Sequence, residues 1–290
     1  MKKRNFFSIN LMLPAIIVIV FVMVFPTLYA FFMSLFNWKF GKDISFIGFQ
    51  NYINIFKIPD ISHSIWITFL FVAIVTILTI VISLYIAVLL NMDLKGTKIA
   101  IAMLLIPWAI PSVSNGIMWR WIFNPRFGTF NNILISLGLL DNFRQWQFEK
   151  WSAFFIIIIA TVYKLVPFAA FLFTASLKTI PKGLHEAGEI DGLTPVGRFF
   201  KITIPLIRPS LIIVIILLSV STFKAFDMVF VITQGGPSNF TAMLNYLSYV
   251  YSFTLFDFGL GSAMAFFVSF LILIMVIIYY RVAYREVKYD

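Results

Sequence analysis

The chain has 290 residues, is 61% hydrophobic and 18% aromatic, and carries only 12% charged residues, for a mean hydropathy of +0.97. Soluble domains carry about twice that charged fraction, and no water-soluble core of this size could hide so much apolar surface, so the composition selects a membrane protein. With no cysteine, disulfides, thiol catalysis and thiolate metal sites are excluded, and the net charge of +10 is read as basic residues gathered at the cytoplasmic ends of spans, not as a nucleic-acid surface.

Six runs are long and apolar enough to cross roughly 30 Å of hydrocarbon as helices: 11–36, 64–90, 99–123, 151–177, 210–232 and 259–281. The expected fold class is therefore all-α, a polytopic membrane protein forming one transmembrane domain over 1–290. The first run follows Met1-Lys2-Lys3-Arg4, as in a signal peptide. It is too long for that, and no small-x-small cleavage site follows, so it is read as an uncleaved span. The outer connections, near 37–63, 124–150 and 233–258, are rich in Gly, Asn and aromatics. Trp38, Trp108, Trp119, Trp121, Trp146 and Trp151 collect towards the outer ends of spans, where an indole can be half buried with its N–H wet.

The basic residues set the orientation. One set of ends holds Lys2, Lys3, Arg4, Lys95, Lys98, Lys178, Lys182, Arg198, Lys201, Arg208, Arg281, Arg285 and Lys288; the other holds Lys39, Lys42, Lys57, Arg126, Arg144 and Lys150. Thirteen against six places both termini and the connection 178–209 in the cytoplasm.

Within that connection, three acids fall in six residues: Glu186, Glu189 and Asp191. Pro181 can occupy the first turn of a helix running to Ile190, and Gly192 suits its C-terminal stop. Thr194 then reads as an N-cap with Pro195 at the first helical position. The second helix is expected to run through Lys201 and give way before Pro205, so the pair lies across the cytoplasmic face. A solvated basic loop would account for the lysines and arginines. It would not account for the small residues Ala187, Gly188 and Gly192 among the acids, which let another surface come close, so a docking element is the better reading.

Some chemistry is missing. No Gly-x-x-x-x-Gly-Lys-Ser/Thr pattern occurs, so a nucleotide triphosphate cannot be cradled by this chain alone. His63 and His185 have no ligand spacing to each other, so no metal site is expected, and no nucleophile–base arrangement stands out. The chain is not expected to be an enzyme.

Glu186-Ala187-Gly188-Glu189-Ile190-Asp191-Gly192, followed by Phe199, Ile202 and Ile204-Pro205, resembles the EAA signature of membrane permeases of ABC importers. Gly188, where a second Ala is usual, and Leu193, where Ala is common, depart from it. Pro107-Trp108-Ala109-Ile110-Pro111, Trp119 to Pro125, Phe127-Gly128, Thr233-Gln234-Gly235-Gly236-Pro237 and Phe46 to Tyr52 resemble the carbohydrate-uptake branch in its compact six-span form. The resemblance implies a heterodimer with a second permease, two cytoplasmic ATPase subunits and an extracytoplasmic solute-binding protein. It also implies that ATP and Mg²⁺ are held by the ATPases, and that this chain itself binds no cofactor. Glu186, Ala187, Gly188, Asp191 and Gly192 would then form the surface coupled to the ATPase, whose closure switches a transmembrane cavity between its two faces. The rivals are a self-sufficient channel or secondary carrier, which would leave the acidic knob unexplained, and a membrane-embedded enzyme.

Charge inside the spans is costly and marks a wet path or a pair. Lys224 and Asp227, three apart, are expected to neutralise each other on one helix face. Lys164 has no partner in its own span and either lines the path or pairs with Asp227; Arg120 lies near the outer boundary. Asn115, Tyr163, Phe168, Phe171, Phe223 and Phe226 are candidate cavity residues for a sugar, although packing is the commoner role of each. The expected cargo is a carbohydrate, and the unpaired Lys164 leaves open an anionic derivative such as a glycerol phosphate or sugar acid.

Overall fold

The computed structural model describes residues 12–92 and 95–284. In chain order, α1 (Met12–Ser34) leads into a short antiparallel ribbon of β1 (Phe36–Asn37) and β2 (Ser45–Phe46). Then come α2 (Gln50–Lys57), α3 (Pro59–Asn91), α4 (Thr97–Ala109), α5 (Ser112–Ile122) and α6 (Thr129–Ser136). After α7 (Lys150–Leu177) and α8 (Lys182–Ile190) follow α9 (Pro195–Phe223), α10 (Leu244–Tyr249) and α11 (Phe258–Tyr284). Lys2, Lys3, Arg4, Arg285 and Lys288, counted above for orientation, lie outside the described residues, as does Leu11 at the start of the first expected span.

The expected spans 11–36, 64–90, 151–177 and 259–281 are α1, α3, α7 and α11. Helices are what an apolar chain must form in lipid, because each satisfies its own backbone polar groups. Burial divides them by role. In α7, 56% of the most apolar stretch is buried; in α1, none is. So α7 is the centre of its bundle, while α1 offers its surface to lipid or to another chain.

Two expected spans need correction. The run 99–123 is not one helix: α4 and α5 meet at a 91° bend. Pro111 cannot donate a hydrogen bond and disfavours the α conformation in the residue before it, and Ile110 is extended, with ψ of 130°. The run 210–232 is also misplaced. The helix containing it begins at Pro195 and stops at Phe223, followed after a break by a π-helical turn over Val229–Thr233. The second cytoplasmic helix therefore does not give way before Pro205; it is the base of α9. A π-helical turn over Phe199–Thr203, closed by Ile204 N–H on the Phe199 carbonyl, widens the helix just where the pyrrolidine ring would meet the preceding turn. The same device, Val20–Val24 closed by Phe25 N–H on the Val20 carbonyl, precedes Pro26 in α1.

Two compact units divide the chain, Met1–Ser62 with Leu247–Phe270, and His63–Tyr246 with Leu271–Asp290. In the first, the motif ending in Asn51 and Tyr52 is a fastening. The Asn51 amide donates to the Ser34 and Phe36 carbonyls at 2.9 Å each, and the Tyr52 hydroxyl shares a 2.7 Å hydrogen bond with Ser34. Burial pushes the Tyr52 phenol above its ordinary pKa. A Cβ at Gly259 would lie 2.2 Å from the Phe36 carbonyl oxygen, so only glycine fits there. Lys39 pairs with Asp257 at 3.6 Å.

The second unit holds the main core. Phe71, Phe123, Phe154, Ile156, Ile157 and Met243 pack at one end, and Ala87, Phe173, Leu177, Ile207 and Leu218 at the other. The fully buried Ala153, Ala160, Ala169 and Ala170 of α7 let neighbouring helices approach closely, the usual source of packing energy between helices in lipid. In the outer connection, fully buried Asn131 ties α6 to the segment before α7. Its amide donates to the Arg144 carbonyl at 3.0 Å, and its side-chain oxygen accepts from Trp146 Nε1 at 2.7 Å. Arg144 in turn forms a two-point pair with Glu149, which holds that carboxyl below its usual range.

Candidate functional site

Two places in the second unit bring chemistry together: the knob built from α8 and the base of α9, and a cavity where α4, α5, α7 and the far end of α9 meet.

The knob is closed by local rules. Gly192 takes φ of +77°, its N–H bonds the Glu189 carbonyl at 3.0 Å, and Leu193 N–H reaches back to the Gly188 carbonyl at 2.9 Å. This is the Schellman ending, in which a left-handed residue satisfies two orphan carbonyls. The Thr194 hydroxyl then caps the next helix, accepting from Gly197 N–H at 3.1 Å. Pro181, expected in the first turn of α8, is instead its N-cap, with extended ψ of 130°.

The expected coupling residues part company here. Glu186, Ala187, Asp191 and Gly192 are exposed, whereas Gly188 is buried. A Cβ on Gly188 would stand 2.6 Å from Ile202 Cδ1 and 3.5 Å from Arg198 Cγ. Gly188 is thus the seam between α8 and the base of α9, not part of the outer surface. Beside it, Arg198 Nη1 donates to Glu189 at 2.6 Å and to the His185 carbonyl at 3.3 Å, riveting the two helices. Leu184 and Ile190 join Ala187 at helical three-residue spacing to form an apolar stripe, and Ile190 is 87% exposed. The sequence reading missed Leu184 and Ile190, although their spacing from Ala187 would have found them.

The cavity measures about 280 Å³. Trp108 and Ser112 come from the two sides of the α4–α5 bend, Thr161 and Lys164 from α7, and Ser221 from α9. Lys224, Phe226 and Asp227 come from the break after it. Lys164 Nζ donates to the Ile110 carbonyl at 2.7 Å; this carbonyl is left out of the helical ladder because Ile110 turns extended at the bend. The break after α9 is stabilised in the same way, with the Asn245 amide donating to the Phe223 carbonyl at 2.8 Å.

The expected pairing of Lys224 with Asp227 does not occur. Among the described residues neither has an ion-pair partner, because the helix ends at Phe223 and three-residue spacing no longer means one face. Nor does Lys164 pair with Asp227. The cavity thus holds two cations and one anion, with the hydroxyls of Ser112, Thr161 and Ser221 and the rings of Trp108 and Phe226 around them.

The other candidates sit elsewhere. Asn115 is fully buried in helix packing, its amide donating to the Ala160 carbonyl at 3.0 Å. Phe223 is buried edge-on against Phe69 at 5.3 Å, and Tyr163 lies edge-on to Trp119 at 5.6 Å. Phe168 stacks on Trp108 at 5.3 Å and so supports a wall without forming it, and Phe171 is exposed. Arg120 bonds the Val231 carbonyl at 3.3 Å. Thr161 and Ser221 were missed, yet each precedes a lysine of the cavity by three residues, which is the signal that was there to read. Among the described residues no group of three or more His, Cys, Asp or Glu could hold a metal ion.

Residues 80–287 match the family described as "Binding-protein-dependent transport system inner membrane component". The trehalose/maltose transport system permease protein MalF of Thermococcus litoralis is 34% identical, over 94% of this chain and 92% of that protein. The sn-glycerol-3-phosphate transport system permease protein UgpA of Shigella flexneri is 30% identical, over 97% of this chain and 95% of that one. The fold superposes with a TM-score of 0.84 on a chain of a crystal structure of "a bacterial ABC transporter involved in the import of the acidic polysaccharide alginate". That likeness covers 99% of this chain and 98% of the other at 19% identity, and it speaks for the fold alone.

Proposed function

This chain belongs to the binding-protein-dependent transport system inner membrane components and is a multi-pass permease subunit of an ABC importer; on that premise we propose that it carries a carbohydrate through the cavity between α4, α5, α7 and α9. Carbohydrates are held by hydroxyl and amide groups around an aromatic face, and Ser112, Thr161, Ser221, Trp108 and Phe226 supply such a lining. A second reading, an anionic derivative such as a glycerol phosphate, is favoured by Lys224, which has no ion-pair partner among the described residues. Uptake of a neutral sugar and of a phosphorylated polyol into vesicles separates the two.

The observation that carries the coupling mechanism is the continuity of α9. Its 29 residues extend about 43 Å at 1.5 Å per residue. One end is seamed to α8 at Gly188, and the other supplies Ser221 to the cavity and leads directly into Lys224. A partner that grips the stripe of Leu184, Ala187 and Ile190, with Glu186 and Asp191 as polar contacts, would therefore move the cavity wall directly. An apolar side chain as exposed as Ile190 is costly in water and is suited to burial against a protein. The partner is an ATPase subunit, which binds ATP with Mg²⁺ and hydrolyses the ATP. A second permease covers part of the apolar exterior, an extracytoplasmic binding protein delivers the cargo, and both termini are cytoplasmic.

Co-purification tests this reading. An ATPase subunit should come down with the full chain, and Glu186→Lys or Ile190→Asp should release it while the chain stays folded. Retention of the ATPase by both variants would sink the assignment of this face.

A further inference from the structure

A cleft of about 840 Å³ opens on the same end of the bundle as the knob. Its walls are the end of α3, the start of α4, the end of α7 and the start of α8, all within the second unit. Lys95, Lys98, Lys178 and Lys182 line it together with His185. Among the described lining residues none is acidic; Asp93, in the same α3–α4 connection, lies outside the described residues.

Positive residues at this end of spans need only hold the chain in orientation, and dispersed lysines would do that equally well. Here they line one hollow together with the apolar side chains of Leu90, Met92, Ile99, Leu177 and Ile180. The α4 helix also begins on its rim. Gly96, with φ of +93°, is its N-cap and has no side chain to cover the first N–H groups, so that end adds a partial positive charge. Lysines and apolar side chains sharing one hollow, at the ends of membrane-spanning helices, match the amphipathic character of one kind of ligand.

We propose that this cleft binds the phosphate headgroup of an anionic phospholipid, with the lipid's apolar portion against its apolar lining. Free phosphate shares the headgroup chemistry but makes no use of Leu90, Met92 and Ile180. Because Lys182 and His185 belong to α8, a bound lipid joins the coupling knob to the α3–α4 connection, so that bilayer composition bears on coupling. The side of the membrane follows from the orientation proposed above.

The test uses the full chain in nanodiscs, both leaflets of which carry phosphatidylcholine with or without phosphatidylglycerol. The assay therefore reads the cleft whichever way the chain crosses, and an error in orientation leaves its outcome unchanged. Lipid retained after release into detergent is measured by native mass spectrometry. The chain should retain phosphatidylglycerol selectively, and the variant Lys95→Gln, Lys98→Gln, Lys178→Gln should weaken that retention on the order of 100-fold, at about 1 kcal/mol per basic residue. A control, Lys201→Gln, Arg208→Gln, Arg281→Gln, removes the same number of charges from positions that do not line the cleft; it should keep the lipid. The triple Lys→Arg variant should keep it too, which separates charge from folding. Equal loss in the cleft and control variants would mean diffuse attraction only. Displacement of the lipid by millimolar inorganic phosphate, or no selective retention at all, would also overturn the proposal.

Discussion

The α4–α5 region and α9 carry the same proline spacing and end in opposite shapes. Pro107 and Pro111 are four residues apart, as are Pro205 and Pro209. The first pair sits beside a 91° bend, and the second lies inside one continuous 29-residue helix. The contrast lies in the conformation of the residue before each proline and in whether another helix receives that residue's carbonyl. Ile204 keeps helical angles, φ of −57° and ψ of −47°, behind a π-helical turn that makes room for the Pro205 ring. Ile110 turns extended, and its carbonyl is taken by the amine of Lys164 from another helix. A proline thus marks where a helix loses a hydrogen bond, and the surroundings decide whether the helix absorbs that loss or bends. The bent region forms a wall of the cavity, and the straight one connects that wall to the knob.

The strongest way to break this contrast is to remove the receiver. Lys164→Ala leaves the Ile110 carbonyl without its donor, and a hydrogen bond left unmade away from water costs about 1–3 kcal/mol. Uptake in reconstituted vesicles should fall at least about tenfold while the complex still assembles. Unchanged transport would show that the bend does not need its strap.

Pro111→Ala comes next. Restoring the N–H should leave the bend in place while Lys164 holds it, and combining it with Lys164→Ala should straighten the pair. Two rods of about 20 and 16 Å at a right angle, once aligned, separate spin labels at their outer ends by about 10 Å more. The absence of cysteine leaves those labels free of background. Straightening by Pro111→Ala alone would assign the bend to proline only.

The α9 side of the comparison is probed at its seam. Gly188→Val should push against Ile202 and Arg198 and cost about 1–3 kcal/mol by overpacking, lowering ATP-driven uptake more than cargo binding. Gly188→Ala should come close to neutral, since the crowded atom is the flexible end of Ile202 and helix propensity improves by up to about 1 kcal/mol. Equal damage by both would mean that the seam tolerates no side chain.

Smallest of all is Thr194→Ala, which removes the cap from the base of α9 and should cost about 1 kcal/mol. Faster hydrogen exchange at the Gly197 amide, with transport nearly intact, is the expected result.

Much of this was legible in the sequence because it rests on local chemistry. The Gly192 stop and the Thr194 cap follow from rules that involve only neighbouring residues, and the runs behind α1, α3, α7 and α11 follow from hydrocarbon thickness. The cavity was only half legible. Lys164, Phe226 and Asp227 were candidates and lie along it, whereas Lys224, expected only to neutralise Asp227, lies there too; Asn115 and Phe223 are packed away, and Gly188 turns inward. Residue type names a candidate for a wet cavity; the direction in which the side chain points depends on helix rotation, and packing sets that.

The sequence by itself determined that this chain lives in a membrane as helices and that its knob is closed at Gly192 and capped at Thr194. Mean hydropathy, capping and turn chemistry act over a few residues and need no partner. Only the tertiary structure decided that Pro111 bends its helix while Pro205 does not, that Lys224 and Asp227 stay apart, and that Gly188 is a seam. Each of those outcomes depends on a group brought from far along the chain, or on a helix ending where periodicity says it should continue.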